Sequence, residues 1–189
     1  PESISASDSA CARQFLGETA RLLYRRPLDE ARLTELVDIA RYATEQTEDF
    51  YDGLALALEA ILLSPEVIFI VDQTEPDPNR PGEQRLDDYS LAARLSFFLW
   101  NAPPDANLLL AAENGELSNP EGLARAVDRL IASSRLEAGM RAFFDDMLGF
   151  DDFNSLAKDP MVYPMVTGAT LADAREQTLR TIIDHVLTE

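Results

Sequence analysis

Apolar residues recur three and four positions apart along almost the whole chain, and prolines cut that rhythm into short segments. A chain patterned this way can fold only as packed helices. Phe15, Leu16, Thr19, Leu22 and Leu23 share one face behind the capping-type run Ser7, Asp8, Ser9. Arg26 and Pro27 end that segment, because the residue before a proline is pushed out of the α region. Asp29 and Glu30 open a second helix with the stripe Leu33, Leu36, Val37 and Ala40. A third helix carries Phe50, Leu54, Leu58, Ile61 and Leu62 until Pro65 stops it. Residues 67–71 are β-branched but have no partner strand elsewhere, so a helical turn or extended exit is expected there. The stretch 54–71 is apolar enough to suggest a membrane span. Glu59, Pro65 and Glu66 interrupt it at a cost a bilayer would not tolerate, so it reads as a core helix followed by a buried turn.

Residues 73–86 read as a linker, since Pro76, Pro78 and Pro81 remove backbone donors and Gly82 breaks the remaining period. Asp87 is a good N-cap for the run holding Leu91, Leu95, Phe98 and Leu99, which Trp100 closes before Pro103 and Pro104. Asp105 caps a short helix through Leu110, and Asn119 before Pro120 starts another with Leu123, Val127, Leu130 and Ile131. The stripe Leu136, Met140, Phe143, Phe144, Met147 and Leu148 follows. Thr170 with Asp173 then resembles the capping box of a last helix bearing Leu171, Ala174, Thr178, Ile182, Ile183 and Val186. The expectation is an all-α fold of about eight helices in two packed helical subdomains. Residues 1–72 form a three-helix domain, 73–86 a proline-rich linker and 87–189 a C-terminal helical domain.

Thirty-four acids against sixteen bases leave a net charge of −18 in 189 residues. That field excludes a general nucleic-acid binder and argues against docking on anionic lipid. The single cysteine, Cys11, can form no internal disulfide and no Cys-x-x-Cys-His haem attachment, and it reads as a small apolar helix residue. The single histidine, His185, would have to carry any histidine chemistry alone and reads as a solvated helix residue. Adjacent acids at Asp87–Asp88, Asp145–Asp146 and Asp151–Asp152 could supply a carboxylate pair, but in so acidic a chain they mark caps and solvated faces. Asp77, Asn79, Gly82 and Asp88 fall on calcium-loop positions, with Pro81 where an oxygen ligand belongs. Calcium is therefore the one ion worth testing, by melting temperature. Arg25 and Arg26 could hold an anion, but suit a helix C-terminus paired with acids such as Asp29. Arg94 reads as the partner of a buried carboxylate and Trp100 as a core anchor. No catalytic, cofactor-binding or metal-binding residue is assigned.

Four runs together carry a resemblance: LLYRRPLDEARL (22–33), LALALEAILLSPEVIF (54–69), LDDYSLAARLSFFLWNAPPDANL (86–108) and DAREQTLRTIIDHVL (173–187). They resemble the paired helical domains of unknown function in large exported proteins of planctomycetes and myxobacteria. Those proteins often also carry a planctomycete-type cytochrome c domain. The resemblance implies a periplasmic or extracellular location and supplies no catalytic residue. It also implies no cofactor in this chain, any haem c lying elsewhere in the parent protein. The start at Pro1 without methionine and the end at Glu189 inside a helical pattern suggest a processed or excised piece of that larger protein.

The function expected is a non-catalytic structural or interaction module of a larger exported protein. Its partners would be further domains of the same protein docking on the last helix, without nucleic acid and without membrane insertion. That expectation rests on the apolar residues of 171–187, which cover more of the circumference than one core face needs. One side is expected to pack near Phe143 and Met147. The alternative is a carboxylate-based hydrolase acting on an extracellular polymer. Two convergent carboxyls with a raised pKa would favour the enzyme, and an exposed apolar patch would favour the module.

Overall fold

The computed structural model describes residues 4–156, 158–159 and 161–188; Pro1 and Glu189 lie outside the described residues. Among the described residues there are nine α-helices and one two-stranded sheet. The chain separates into two compact units, 1–95 with 103–126, and 96–102 with 127–189.

The first unit opens with α1 (Ser9–Leu23), α2 (Glu30–Thr47) and α3 (Phe50–Leu62). Each start is capped by an aspartate: Asp8 accepts from the Cys11 N–H at 2.9 Å, Asp29 from Arg32 at 2.7 Å and Asp49 from Tyr51 at 2.7 Å. Leu16, Leu36, Phe50 and Ile61 interlock with Ala12, Ala20, Ala40 and Ala57 in one core. The expected stripes are therefore rotated. Phe15, Leu22 and Leu62 are exposed, and alanines occupy the inner face instead. Small residues let the helix axes approach. A Cβ on Gly53 in α3 would lie 2.4 Å from the Ala40 carbonyl oxygen and 2.2 Å from Thr44 Oγ1.

After α3, Ser64 leads into the single turn α4 (Pro65–Ile68), and the chain leaves it extended. The turn is not buried as expected: Phe69 is 63% exposed, and Ile68, Ile70 and Val71 are exposed with it. Four apolar residues are too few to build a core without a facing element, so their pattern alone could not bury them. Residues 73–86, expected as a linker, form an antiparallel hairpin of β1 (Thr74–Pro76) and β2 (Gln84–Leu86). Its turn closes because the Asp77 carboxylate accepts from the Asn79 N–H at 2.8 Å and Arg80 Nε at 2.9 Å. Gly82 takes a φ of +90, which a side chain would resist. Next come α5 (Asp88–Trp100), α6 (Ala106–Glu113), the 3-10 turn Glu116–Ser118 and α7 (Pro120–Ile131), of which the first unit takes α5 as far as Leu95 and α7 as far as Ala126. Asp87, Asp105 and Asn119 accept from backbone N–H groups at the starts of α5, α6 and α7, as their positions predicted.

The second unit contains α8 (Arg135–Met147), the 3-10 turn Phe150–Ser155 and α9 (Gly168–Thr188). Trp100 is a core anchor here, as expected: its Nε1 donates to the Leu130 carbonyl at 2.9 Å, and Arg129 and Arg135 stand 5.7 and 5.0 Å from its ring. Gly139 lies where a Cβ would meet the Leu99 carbonyl oxygen at 2.0 Å. A small core joins Phe150, Leu179 and Ile183 to Met140 and Phe144. As expected, α9 packs on the helix that carries Phe143 and Met147, but the contact is made by Met140 and Phe144 while Phe143 and Met147 themselves are exposed. The helix also begins earlier than the capping box suggested, at Gly168, with the Thr167 hydroxyl accepting from the Thr170 N–H at 3.2 Å.

Candidate functional site

Tyr24 follows the last turn of α1, and Arg25 after it takes a φ of +60, a left-handed conformation unusual for a side-chain-bearing residue. Such a backbone costs about 1–3 kcal/mol and persists only where its surroundings hold it. Here the buried Arg25 guanidinium holds it. It donates to the carbonyls of Leu23 at 3.3 Å, Val67 at 3.3 Å, Phe69 at 2.8 Å and Glu66. Burial, reinforced by the neighbouring charge of Arg26, pushes the Arg25 pKa down from its ordinary value. Arg25 is thus a staple that fixes the exit from α4.

Arg26 turns the other way. Its two terminal nitrogens reach the Asp87 carboxylate at 3.0 and 3.4 Å, one of them also donates to Ser90 Oγ at 3.1 Å, and the Gln73 side chain accepts as well. The guanidinium stands 5.7 Å from the Tyr89 ring. Burial would raise the Asp87 pKa, but the hydroxyl and backbone N–H of Ser90 and the charge of Arg26 outweigh it, and the net shift is downward. The Arg-Arg-Pro run and the Leu-Asp-Asp-Tyr-Ser run, far apart in sequence, therefore meet here. The expectation that these arginines pair with Asp29 is corrected. Asp29 is occupied as the α2 cap, and Asp87 takes the pairing role.

A groove of about 660 Å³ opens beside this clamp, with Tyr24, Arg26, Arg32, Ser64, Glu66 and Gln73 among its walls. Glu66 is held below the usual carboxylate range, first by the Ser64 hydroxyl and then by a backbone N–H. Arg32 is raised chiefly by its bond to Glu35, with Tyr24 next. The Tyr24 hydroxyl, near Arg32, makes no hydrogen bond of regular geometry. It is the one buried side-chain polar atom among the described residues with no such bond, although it lies close enough to Arg32 to raise that residue's pKa.

The second unit has its own groove, about 410 Å³, between α8 and α9. Its charges are spent on cross-helix pairs: Arg141 with Glu176 at 3.0 Å and Arg175 with Asp145. Bonds from Arg180 and then Arg141 lower the Glu176 pKa.

The remaining sequence candidates do not converge. Asp87 serves Arg26, whereas Asp88 accepts from the Ser118 N–H at 3.2 Å and from its hydroxyl. Asp145 pairs with Arg175, and Asp146, Asp151 and Asp152 are exposed. The calcium-template residues separate too, with Asp77 held inside the hairpin turn and Asp88 on Ser118. Among the described residues no three His, Cys, Asp or Glu side chains gather to hold a metal. Arg94 pairs with Asp72, as expected of its charge, but Asp72 is only half-buried and Arg94 is exposed. Cys11 is half-buried in α1 and His185 is exposed in α9. Sequence reasoning missed Tyr24 and Arg32, whose side chains only the fold brings together. It also missed Gly53, Gly122 and Gly139, which a mid-helix glycine should have flagged, since each costs helix stability of about 1 kcal/mol unless packing requires it.

Comparison with known proteins gives two family-model matches. Residues 11–72 match PSD5, a protein of unknown function (DUF1595), and residues 86–189 match PSD4, a protein of unknown function (DUF1592). No curated protein and no solved structure matches the chain. The two matches meet on opposite sides of the Arg26–Asp87 clamp, Arg26 in one and Asp87 in the other. Because the second match alone spans more than half of the sequence, the chain belongs to the PSD4 (DUF1592) family of proteins of unknown function, with a PSD5 segment preceding it.

Proposed function

We propose that this chain is a non-catalytic helical interaction module of a larger exported protein, working in the periplasm or outside the cell. One observation carries the reading: the apolar run 68–71 is exposed yet rigidly held. Arg25 binds the carbonyls of Glu66, Val67 and Phe69 on one side, and Arg94 holds Asp72 on the other. Consecutive exposed apolar residues are unfavourable in an isolated domain unless something covers them. The carboxylates support the same reading. Glu66, Asp72, Asp77, Asp87 and Glu176 are all held below their ordinary range by hydrogen bonds, the opposite of a general acid. Partners in this proposal are further domains of the same polypeptide, α9 offering Val186 and Leu187 as a second contact. Any haem c belongs to another of those domains. No described helix is long and apolar enough to cross a membrane.

The test is a photo-reactive amino acid placed at position 69 of the full-length gene product. The expected result is a cross-link mapped to another domain of the same polypeptide, lost when Ile68 and Ile70 are changed to Ser without loss of melting temperature. Cross-linking to solvent quencher alone would defeat the proposal.

A further inference from the structure

Helix α8 ends with its charges the wrong way round. Asp145 and Asp146 stand in its last turn with no basic residue beside them, where the macrodipole already leaves partial negative charge. Asp151 and Asp152 follow at once in the 3-10 turn. From 142 to 157 the sequence holds no lysine and no arginine. Arg175 of α9 bonds Asp145 and, more weakly, feels Asp151. Asp146 is exposed, and no described basic side chain pairs with it. The same helix end also exposes apolar surface: Phe143, Met147 and Leu148 are 48, 63 and 42% exposed. Phe143 and Met147 are four residues apart, so they form one ridge along the helix. Methionine adds a flexible, polarisable side chain of the kind that adaptable binding surfaces use.

The charge chooses the occupant. A second copy of the chain would bring another net charge of −18 and set the same acids face to face. An anionic lipid surface is repelled for the same reason. A cationic partner gains twice, from the carboxylates and from the negative end of the helix. A helical ridge packs best against another helix. We propose that the C-terminal end of α8 docks a basic amphipathic helix of a partner protein, its apolar side on Phe143, Met147 and Leu148 and its lysine or arginine side chains on Asp146 and Asp151. This surface lies wholly within the second unit and is independent of the docking surface at residues 68–71.

The test is an NMR titration of the full chain with a synthetic leucine–lysine peptide whose leucines recur at helical spacing. A leucine–glutamate peptide and a serine–lysine peptide of the same pattern are the controls, each lacking one half of the recognition. The leucine–lysine peptide is expected to bind with a dissociation constant on the order of 10 μM at about 50 mM salt, and about tenfold more weakly at about 0.5 M. The shifted resonances should cluster at residues 142–152. Phe143→Gln with Met147→Gln should weaken binding about tenfold, and Asp146→Asn with Asp151→Asn about fivefold. Glu59→Gln with Glu121→Gln makes the same charge change at exposed positions elsewhere and should leave binding as it was. If the apolar pair of changes lowers the melting temperature, the Asp146 and Asp151 pair still decides the matter. The proposal is overturned if the leucine–lysine peptide does not bind, or if either control peptide binds as tightly. It also fails if the Glu59 and Glu121 changes weaken binding as much as those at Asp146 and Asp151. Binding to neutral phosphatidylcholine vesicles would make lipid the occupant. A dimer in sedimentation that Phe143→Gln with Met147→Gln dissolves would make it a second copy, and either result overturns the proposal.

Discussion

Helices α1–α3 and helices α8–α9 read alike in sequence, each a succession of apolar stripes, yet they are packed very differently. In the first group Leu16, Leu36, Ala57 and Ile61 lose all contact with water, and alanines line the helix crossings. In the second, three residues form the buried core while Phe143, Met147, Val186 and Leu187 stay exposed. An apolar stripe is therefore a necessary condition for burial and not a sufficient one. What separates the groups is how many partner helices each has. Three helices joined by short turns surround a common axis, whereas a pair can cover only one strip of each member.

The comparison breaks most easily at the cores. Leu36→Ala removes a side chain enclosed on every side and should cost about 4 kcal/mol, whereas Ile183→Ala, in the smaller core, should cost about 2. Equal losses in chemical denaturation would mean the second core is as complete as the first.

The helix crossings give the next largest effect, and here the two groups should agree. Gly53→Ala and Gly139→Ala each press a methyl group onto a backbone carbonyl that cannot rotate away, and each should cost about 3 kcal/mol. Native-state hydrogen exchange should place the lost protection in α2 and α3 for the first and around Leu99 and α8 for the second. An unchanged melting temperature in either variant would show that the crossing can open.

Ion pairs sharpen the contrast at a smaller scale. Asp87→Asn weakens a half-buried, doubly bonded pair and should cost about 2 kcal/mol, against less than about 1 for Arg175→Ala on the more open α8–α9 pair. Asp87 has a depressed pKa in the folded chain, so it contributes stability above its unfolded value near 4. That contribution is lost as the pH falls below about 4 and through the folded value, and the acid limb of a stability–pH curve should flatten in Asp87→Asn. If the two curves superimpose, the clamp does not stabilise the fold.

The smallest effect belongs to the exposed side of the pair. Phe143→Gln with Met147→Gln should change stability by no more than about 0.5 kcal/mol, because neither side chain is enclosed. Unfolding of this variant would show that the stripe is core after all.

Helix starts were readable because a cap is a local device. Asp8, Asp29, Asp87, Asp105 and Asn119 each bond to a backbone N–H two or three residues ahead, so the residues that decide the outcome sit side by side in sequence. The hairpin at 74–86 was less readable. Three prolines and a glycine are equally at home in a linker, and only the pairing of Glu75 with Arg85 and the closure by Asp77 distinguish the two. The clamp was partly readable. Arg25 and Arg26 stood out as an anion-binding or ion-pairing signal, but all their partners except the Leu23 carbonyl lie 41 to 64 residues away along the chain.

The all-α class, the positions of most helix ends and the absence of a haem-attachment motif follow from the sequence by itself, because periodicity, caps and cysteine spacing act over a few residues. Which face of each helix turns inward was decided only by tertiary structure. Burial depends on the closest approach of two helices, and that distance is set by Ala40, Gly53, Ala57 and Gly139 rather than by the largest apolar side chains. The same holds for Tyr24. Its residue type is compatible with an ordinary core position, and only the three-dimensional arrangement brings its buried hydroxyl against Arg32.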